Sequence, residues 1–105
     1  MDPTKLSGKA ALVGGSSRSI GRAIAIELAK AGADVAVNYL AHGDEANAVS
    51  EEIKHLGRSS ISIEADVSIA SEVSRLVKSG ESLGPVSVLV NDAGIANAMK
   101  FYACR

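Results

Sequence analysis

Ala10-Ala11-Leu12-Val13-Gly14-Gly15-Ser16-Ser17-Arg18-Ser19-Ile20-Gly21 is the stretch that decides the fold. Ala10 to Val13 is a short apolar run, the pattern of a strand covered on both faces. Gly14 and Gly15 end it. Ile20 to Ala31 then repeats apolar side chains at Ile20, Ala23, Ile24 and Leu28, one face of a helix, and Gly32 stands where the C-cap belongs. A strand that turns through small residues into a helix presents unpaired backbone N–H groups and the positive end of the helix dipole. That combination suits a pyrophosphate. Gly15 suits the tight turn, and Gly21 suits close approach of helix to strand. The glycines alone are weak evidence, because plain connecting turns use them too; the strand-turn-helix context carries the reading. No Gly-Lys-Ser/Thr ending is present, which argues against a triphosphatase loop.

Outward from this turn, strands and helices alternate. Asp34 to Tyr39 reads as a second strand, and Gly43 to Leu56 as a helix with Ala46, Val49, Ile53 and Leu56 on one face. Asp44 reads as a charge favourable at that helix's N-terminus, and Gly57 as its stop. Ser60 to Ala65 is a third strand. Ala70 to about Gly80 is a third helix, with Val73, Leu76 and Val77 inward and Ser68 as N-cap. Gly84-Pro85 breaks the chain before a fourth strand, Val86 to Val90, and a loop, Asn91 to Gly94. Residues 95–105 show no periodicity. Strands joined by helical crossovers pair in parallel, and the crossovers are right-handed. The expected fold is an α/β, doubly wound parallel sheet of Rossmann type with strand order 3-2-1-4, binding ligands at the carboxyl ends of its strands. Strand four is then a bare apolar edge, one helix stands alone on the second face, and poor stability with self-association is expected.

Composition narrows the function. The chain has 105 residues, 11 Lys+Arg against 12 Asp+Glu, and 47% apolar residues. This is one domain or part of one, with no basic patch for nucleic acid. Its aromatic residues are Tyr39, Phe101 and Tyr102, too few for a base-stacking platform. One cysteine, Cys104, excludes an internal disulfide, and without an evident base partner it is not read as a nucleophile. His42 and His55 lack metal-ligand spacing, so no metal site is assigned. No apolar run reaches the length of a membrane span and no secretory signal is visible, so a cytoplasmic protein with no membrane partner is expected.

The motifs together resemble one family, the short-chain dehydrogenase/reductases, most closely in their bacterial ketoreductase-like members. Gly15-(three residues)-Ser19-Ile20-Gly21-Arg22-Ala23 resembles that family's cofactor loop, with Gly14 in place of its Thr and Ser19 in place of its second Gly. Ala65-Asp66-Val67 resembles the segment after the third strand whose acid hydrogen-bonds adenine. Asn91-Asp92-Ala93-Gly94 resembles the loop after the fourth. Residues 32–39 resemble its second strand. The likeness spans about residues 6–96, leaving 97–105 as an atypical tail of a single, incomplete dinucleotide-binding domain. It implies cofactor contacts from Gly15, Ser17, Arg18, Ser19, Ile20, Gly21, Asn38, Tyr39, Asp66, Val67, Asn91, Ala93 and Gly94.

The end of the second strand bears on the choice of nicotinamide cofactor. NAD is selected there by a carboxylate on the ribose 2′-OH. Asn38-Tyr39 offers none, and Arg18 is placed to meet a 2′-phosphate. NADP is the expected cofactor, with NAD disfavoured. Each residue also has a plain reading: Arg18 as a solvated arginine, Tyr39 as packing, Asp66 as a strand-end cap, Asn91 as a sheet-to-loop hydrogen-bonder.

The family's chemistry transfers hydride between nicotinamide and a carbonyl or alcohol, with a tyrosine as acid/base and a lysine four residues later. Neither Tyr39 nor Tyr102 has that lysine. No catalytic residue is therefore assigned; serine, tyrosine and lysine would lie beyond Arg105. The 105-residue chain is expected to be inactive alone, with the carbonyl substrate and homo-oligomer formation belonging to a full-length form. The alternatives are a non-catalytic dinucleotide-binding or interaction fragment, and a methyltransferase-type fold. The asparagine loop and the missing acid after strand two argue against the latter.

Overall fold

The computed structural model describes residues 6–14, 19–41, 43–92 and 99–103. Its elements are β1 (Ala10–Gly14), α1 (Ser19–Lys30), β2 (Asp34–Tyr39), α2 (Gly43–His55), β3 (Ser60–Glu64), α3 (Ala70–Gly80), a short 3-10 helix (Glu81–Leu83), β4 (Val86–Asp92) and β5 (Met99–Ala103). They build one sheet in the order β3-β2-β1-β4-β5. The first four strands are parallel, in the order 3-2-1-4 that alternation implied.

The fifth strand corrects two expectations. Met99–Ala103 pairs antiparallel with β4, from Val88↔Ala103 to Asp92↔Met99. The tail is therefore ordered as a strand, and the edge of β4 is paired rather than bare. β4 itself runs on to Asp92, so Asn91 and Asp92 belong to the strand and not to the loop. The physical reason is pairing: an exposed apolar edge offers a row of N–H and C=O groups, and it recruits a strand that intrinsic periodicity does not announce.

Alternation along each strand divides the core. Ala11, Val13, Val35, Val37, Val88 and Val90 point to one face, where Ala25 and Ala29 of α1 and Ala46, Val49 and Ile53 of α2 cover them. Leu12, Ala36, Ile63 and Ala65 point to the other, where Leu76 of α3 packs. The alanines of α1 let its axis sit close to the sheet. In α2 the buried positions fall at Ala46, Val49, Ser50 and Ile53, with Asp44 and Glu45 in the first turn and Lys54 and His55 in the last, matching the helix dipole at both ends.

Both helices on the first face stop in the same way. Gly32 has φ 103° and Gly57 has φ 85°. The Gly57 N–H donates to Lys54 O at 2.9 Å, and the Arg58 N–H to Ile53 O at 3.4 Å. Gly32 and Ala33 repeat the pattern on Ala29 and Leu28, at 3.0 and 3.1 Å. These are Schellman closures, which need a left-handed residue and therefore favour glycine. One cap differs from expectation. α3 begins after Ile69 with no side-chain cap, and the Ser68 hydroxyl instead donates to Asp66 Oδ1 at 2.6 Å. The cap position falls on Ile69, one residue beyond Ser68, so the Ser68 hydroxyl lies outside the helix and turns back to the carboxylate.

Candidate functional site

The strand ends define the site. Gly14, the last residue of β1, lies level with Asn38 of β2 and Asn91 of β4. Tyr39 lies level with Glu64 of β3. The chain thus leaves four neighbouring parallel strands along one rim, and α1 begins just after β1 on that rim. Gly21 is buried in the first turns of α1, as close helix–sheet approach requires. Below the rim, between α3 and the sheet, lies a cleft of about 180 Å³ lined by Leu12, Gly14, Val67, Val73, Leu76, Leu89 and Val90.

The sequence-derived residues distribute unevenly over this rim. Ser19 and Ile20 open α1, and Asn91 sits on β4. Gly15, Ser17, Arg18, Ala93 and Gly94 lie outside the described residues. Val67 lines the cleft directly. Tyr39 is half-buried against the first-face core, and its ring lies over Gly43: a Cβ there would stand 3.2 Å from Tyr39 Cε2. Gly43, unmarked by sequence reasoning, thus makes room for the tyrosine at the start of α2.

Asn38 is buried, and its Nδ2 donates to the carbonyls of Ile63 and Ala65, each at 3.2 Å. A buried amide must find partners, and these tie the end of β2 to the end of β3. Its donors are spent inside the sheet, which makes Asn38 a clamp on the strand ends.

Asp66 lies in the turn after β3. Its Oδ1 accepts both the Ser68 N–H at 2.9 Å and the Ser68 hydroxyl at 2.6 Å. The hydroxyl bond and then the N–H bond hold its carboxyl below its ordinary value, against a smaller opposing effect of desolvation. The α3 side of the turn is fixed by a second group of residues. Arg75 donates to Glu64 O at 2.5 Å and to both Glu72 carboxylate oxygens at 3.0 Å. The Arg75 side chain lowers the Glu72 carboxyl, and the Asp66 N–H supports the same direction. Ser68, Glu72 and Arg75 were not singled out for this role. An Asp-x-Ser step before a helix carrying Glu and Arg three apart was the available signal.

The residues present fit a dinucleotide. The rim has an apolar cleft, a carboxylate whose Oδ2 takes no donor among the described residues, and no acid at the end of β2. A second, wider groove of about 580 Å³ runs between α1 and α2, lined by Arg22, Glu45, Glu52 and His55 among others. It carries no strand end, and the exposed Arg22–Glu52 pair beside it, at 2.5 Å, contributes at most about 1 kcal/mol. Among the described residues there is no cluster of three metal-ligating side chains and no helix long and apolar enough to cross a membrane.

Comparison with known proteins agrees with this geometry. The short chain dehydrogenase family matches residues 9–104. The 3-oxoacyl-(acyl-carrier-protein) reductase FabG of Staphylococcus epidermidis is 52% identical over 88 residues, which cover 83% of this chain and 36% of that protein. A crystal structure of a short chain dehydrogenase from Burkholderia cenocepacia in complex with NADP is similar at TM-score 0.81 and 46% identity, over 87% of this chain and 38% of that one. A 7α-hydroxysteroid dehydrogenase complexed with NADH and 7-oxo glycochenodeoxycholic acid is similar at TM-score 0.75 and 38% identity, over 84% of this chain and 34% of that one. The chain spans a little over a third of the length of the curated relatives it matches.

Proposed function

The chain belongs to the short-chain dehydrogenase family, and on that footing we propose that it is the NADP(H)-binding portion of a carbonyl reductase. One observation carries the choice of cofactor: β2 ends without a carboxylate. Tyr39 occupies the position that meets the ribose, and the Asn38 amide is turned into the sheet toward Ile63 and Ala65. A 2′-phosphate meets no repulsion from that strand end, and Arg18 would supply a charge-assisted bond to it. Solved relatives bind both NADP and NADH, so the decision falls on these local residues.

Within this reading Gly15, Ser17, Ser19, Ile20 and Gly21 hold the pyrophosphate end, with the first N–H groups of α1 facing it, and Arg18 holds the 2′-phosphate. Asp66 and Val67 hold the adenine, the first by hydrogen bonding and the second by apolar contact at the cleft. Asn91, Ala93 and Gly94 border the cofactor's path at β4. When bound, the nicotinamide exchanges a hydride with the carbon that bears the substrate's oxygen. Residues 1–105 contain no Tyr-x-x-x-Lys pair to move the accompanying proton. The chain on its own is therefore a cofactor-binding module without turnover, and FabG-like relatives suggest a 3-oxoacyl thioester as the substrate class of a longer form.

Titration calorimetry with NADPH and NADH tests the reading. NADPH is expected to bind more tightly, and Tyr39→Asp to move the preference toward NADH. Equal or reversed affinities in the unaltered chain would overturn it. Turnover of ketones or 3-oxoacyl thioesters by the purified chain would overturn the second part.

A further inference from the structure

We infer that Ser68 is a positioning residue for the dinucleotide: it anchors the Asp66 carboxylate by Oδ1 alone, so that Oδ2 stays presented to the exocyclic amine of the adenine. The inference rests on the proposed reading of the chain as a dinucleotide-binding module. Its geometric basis is the division of labour within one carboxylate. Both donors of Ser68 converge on Oδ1, at 2.9 and 2.6 Å, and among the described residues none reaches Oδ2. A carboxylate pinned at one oxygen keeps its side-chain torsions fixed. The ordering cost of binding is then already met before the ligand arrives.

The backbone of the turn does not depend on Ser68. Asn38 holds the carbonyls of Ile63 and Ala65, and Arg75 holds that of Glu64. Ile69 N–H closes the turn on Asp66 O at 3.1 Å. Removing the Ser68 hydroxyl therefore takes the shorter of the two bonds from Oδ1 and leaves the Asp66 side chain on the N–H of residue 68 alone, while the strand ends and α3 stay in place. The charged groups around Asp66 are Glu72 and Arg75 of α3, which bond each other, and Glu64 at the end of β3. Asp66 is ionised at neutral pH with or without Ser68, so an effect of the substitution on binding at pH 7 reports orientation and not charge.

The test uses the chain with Ser68→Ala and Ser68→Thr, and two ligands that differ at one group: NADPH, and the reduced nicotinamide hypoxanthine dinucleotide phosphate, whose purine bears an oxygen in place of the amine. The unaltered chain is expected to prefer the adenine ligand. Ser68→Ala should weaken NADPH binding about 2- to 10-fold, the range set by one side chain losing one of its two anchoring bonds. It should leave the hypoxanthine ligand unchanged, and carbon-detected NMR should show the Asp66 carboxyl titrating at higher pH. Ser68→Thr should restore both. If the unaltered chain binds both purines equally, the adenine amine does not meet Asp66 and the inference falls while the dinucleotide reading stands; if it binds neither, the reading falls as well. If it distinguishes them and Ser68→Ala keeps the full difference, the role of Ser68 is overturned while the reading stands.

Discussion

The two faces of the sheet are built from the same four parallel strands but are closed to different degrees. On one, α1 and α2 together cover Val13, Val35, Val37 and Val90, and Ile53 reaches full burial between them. On the other, α3 works alone. Leu12 and Leu76 are buried there, yet Val67, Val73 and Leu89 stay partly exposed around the cleft. The cause is handedness. Right-handed crossovers send the first two helices to the same side as the chain moves outward from β1 to β3, and the return to β4 sends the third to the opposite side. Stability is thereby concentrated on one face and access on the other, with the strand-end rim shared by both.

The largest effect expected from this asymmetry is in core truncation. Ile53→Ala empties a closed space and should cost about 2–5 kcal/mol, a fall in melting temperature of some tens of degrees at the upper end. Val73→Ala borders an open cleft, loses little burial and leaves no sealed void. It should cost less than about 1 kcal/mol. Thermal melts of the two variants side by side make the comparison, and equal losses would mean that the α3 face is as tightly closed as the other.

Next in size is the edge. β4 contributes Val88 and Val90 to the closed face, and Val86 and Leu89 to the open one. Detaching β5 should therefore loosen both. Along an antiparallel strand, successive N–H groups alternate between partner and solvent, so Lys100→Pro with Phe101→Pro removes a ladder donor whichever of the two faces β4. Light scattering should show self-association beyond that of the unaltered chain, because the apolar edge of β4 is then bare. A monomer of unchanged mass would show that β5 does not protect it.

How much was legible in the sequence follows the same division. Alternating apolar runs and helical periods sufficed for β1 to β4, their order and the three helices, since burial on both faces leaves a strong pattern. Gly32 and Gly57 were readable as stops because their conformation is one that other residues avoid. Met99–Ala103 was not readable, because its strand character comes from the edge it meets and not from its own residues. The rim of strand ends was legible, but the bonds made along it were less so. Asn38 follows Ala36 by two residues and so shares its inward face, yet nothing in the sequence announces that its amide donates to Ile63 and Ala65. Ser68 reads as a helix cap because the sequence does not show that the helix begins one residue later, after Ile69.

A smaller effect is expected at the helix stop. Gly57 has φ 85°, and an added Cβ there would meet nothing within 4 Å. Gly57→Ala thus tests backbone strain without steric contact and should cost about 1–2 kcal/mol. It ends the helix that closes the first face, so a melt that falls by less than for Ile53→Ala would show packing, not turn conformation, as the main source of that face's stability.

The smallest effect is on the open side and depends on pH. Asp66 and Glu72, in the turn and first turn of α3, are both held below their ordinary values of 3.8 and 4.5, by Ser68 and by Arg75 respectively. A carboxylate with a depressed folded pKa contributes stability that is complete above its unfolded pKa and is lost as pH falls through the folded one. Both groups are exposed, so solvent screens the contribution and keeps it small. Ser68→Ala should therefore melt slightly below the unaltered chain at pH 6, with the gap closing between about pH 4.5 and the acid end of the transition, where Asp66 is protonated in every state. Hydrogen exchange across residues 64–72 should rise over the same interval before exchange in α1 and α2 does, because the bonds that acid removes tie down only the singly covered face. A gap that widens on acidification, or exchange that rises first in α2, would mean that the carboxylates of this turn do not hold it closed.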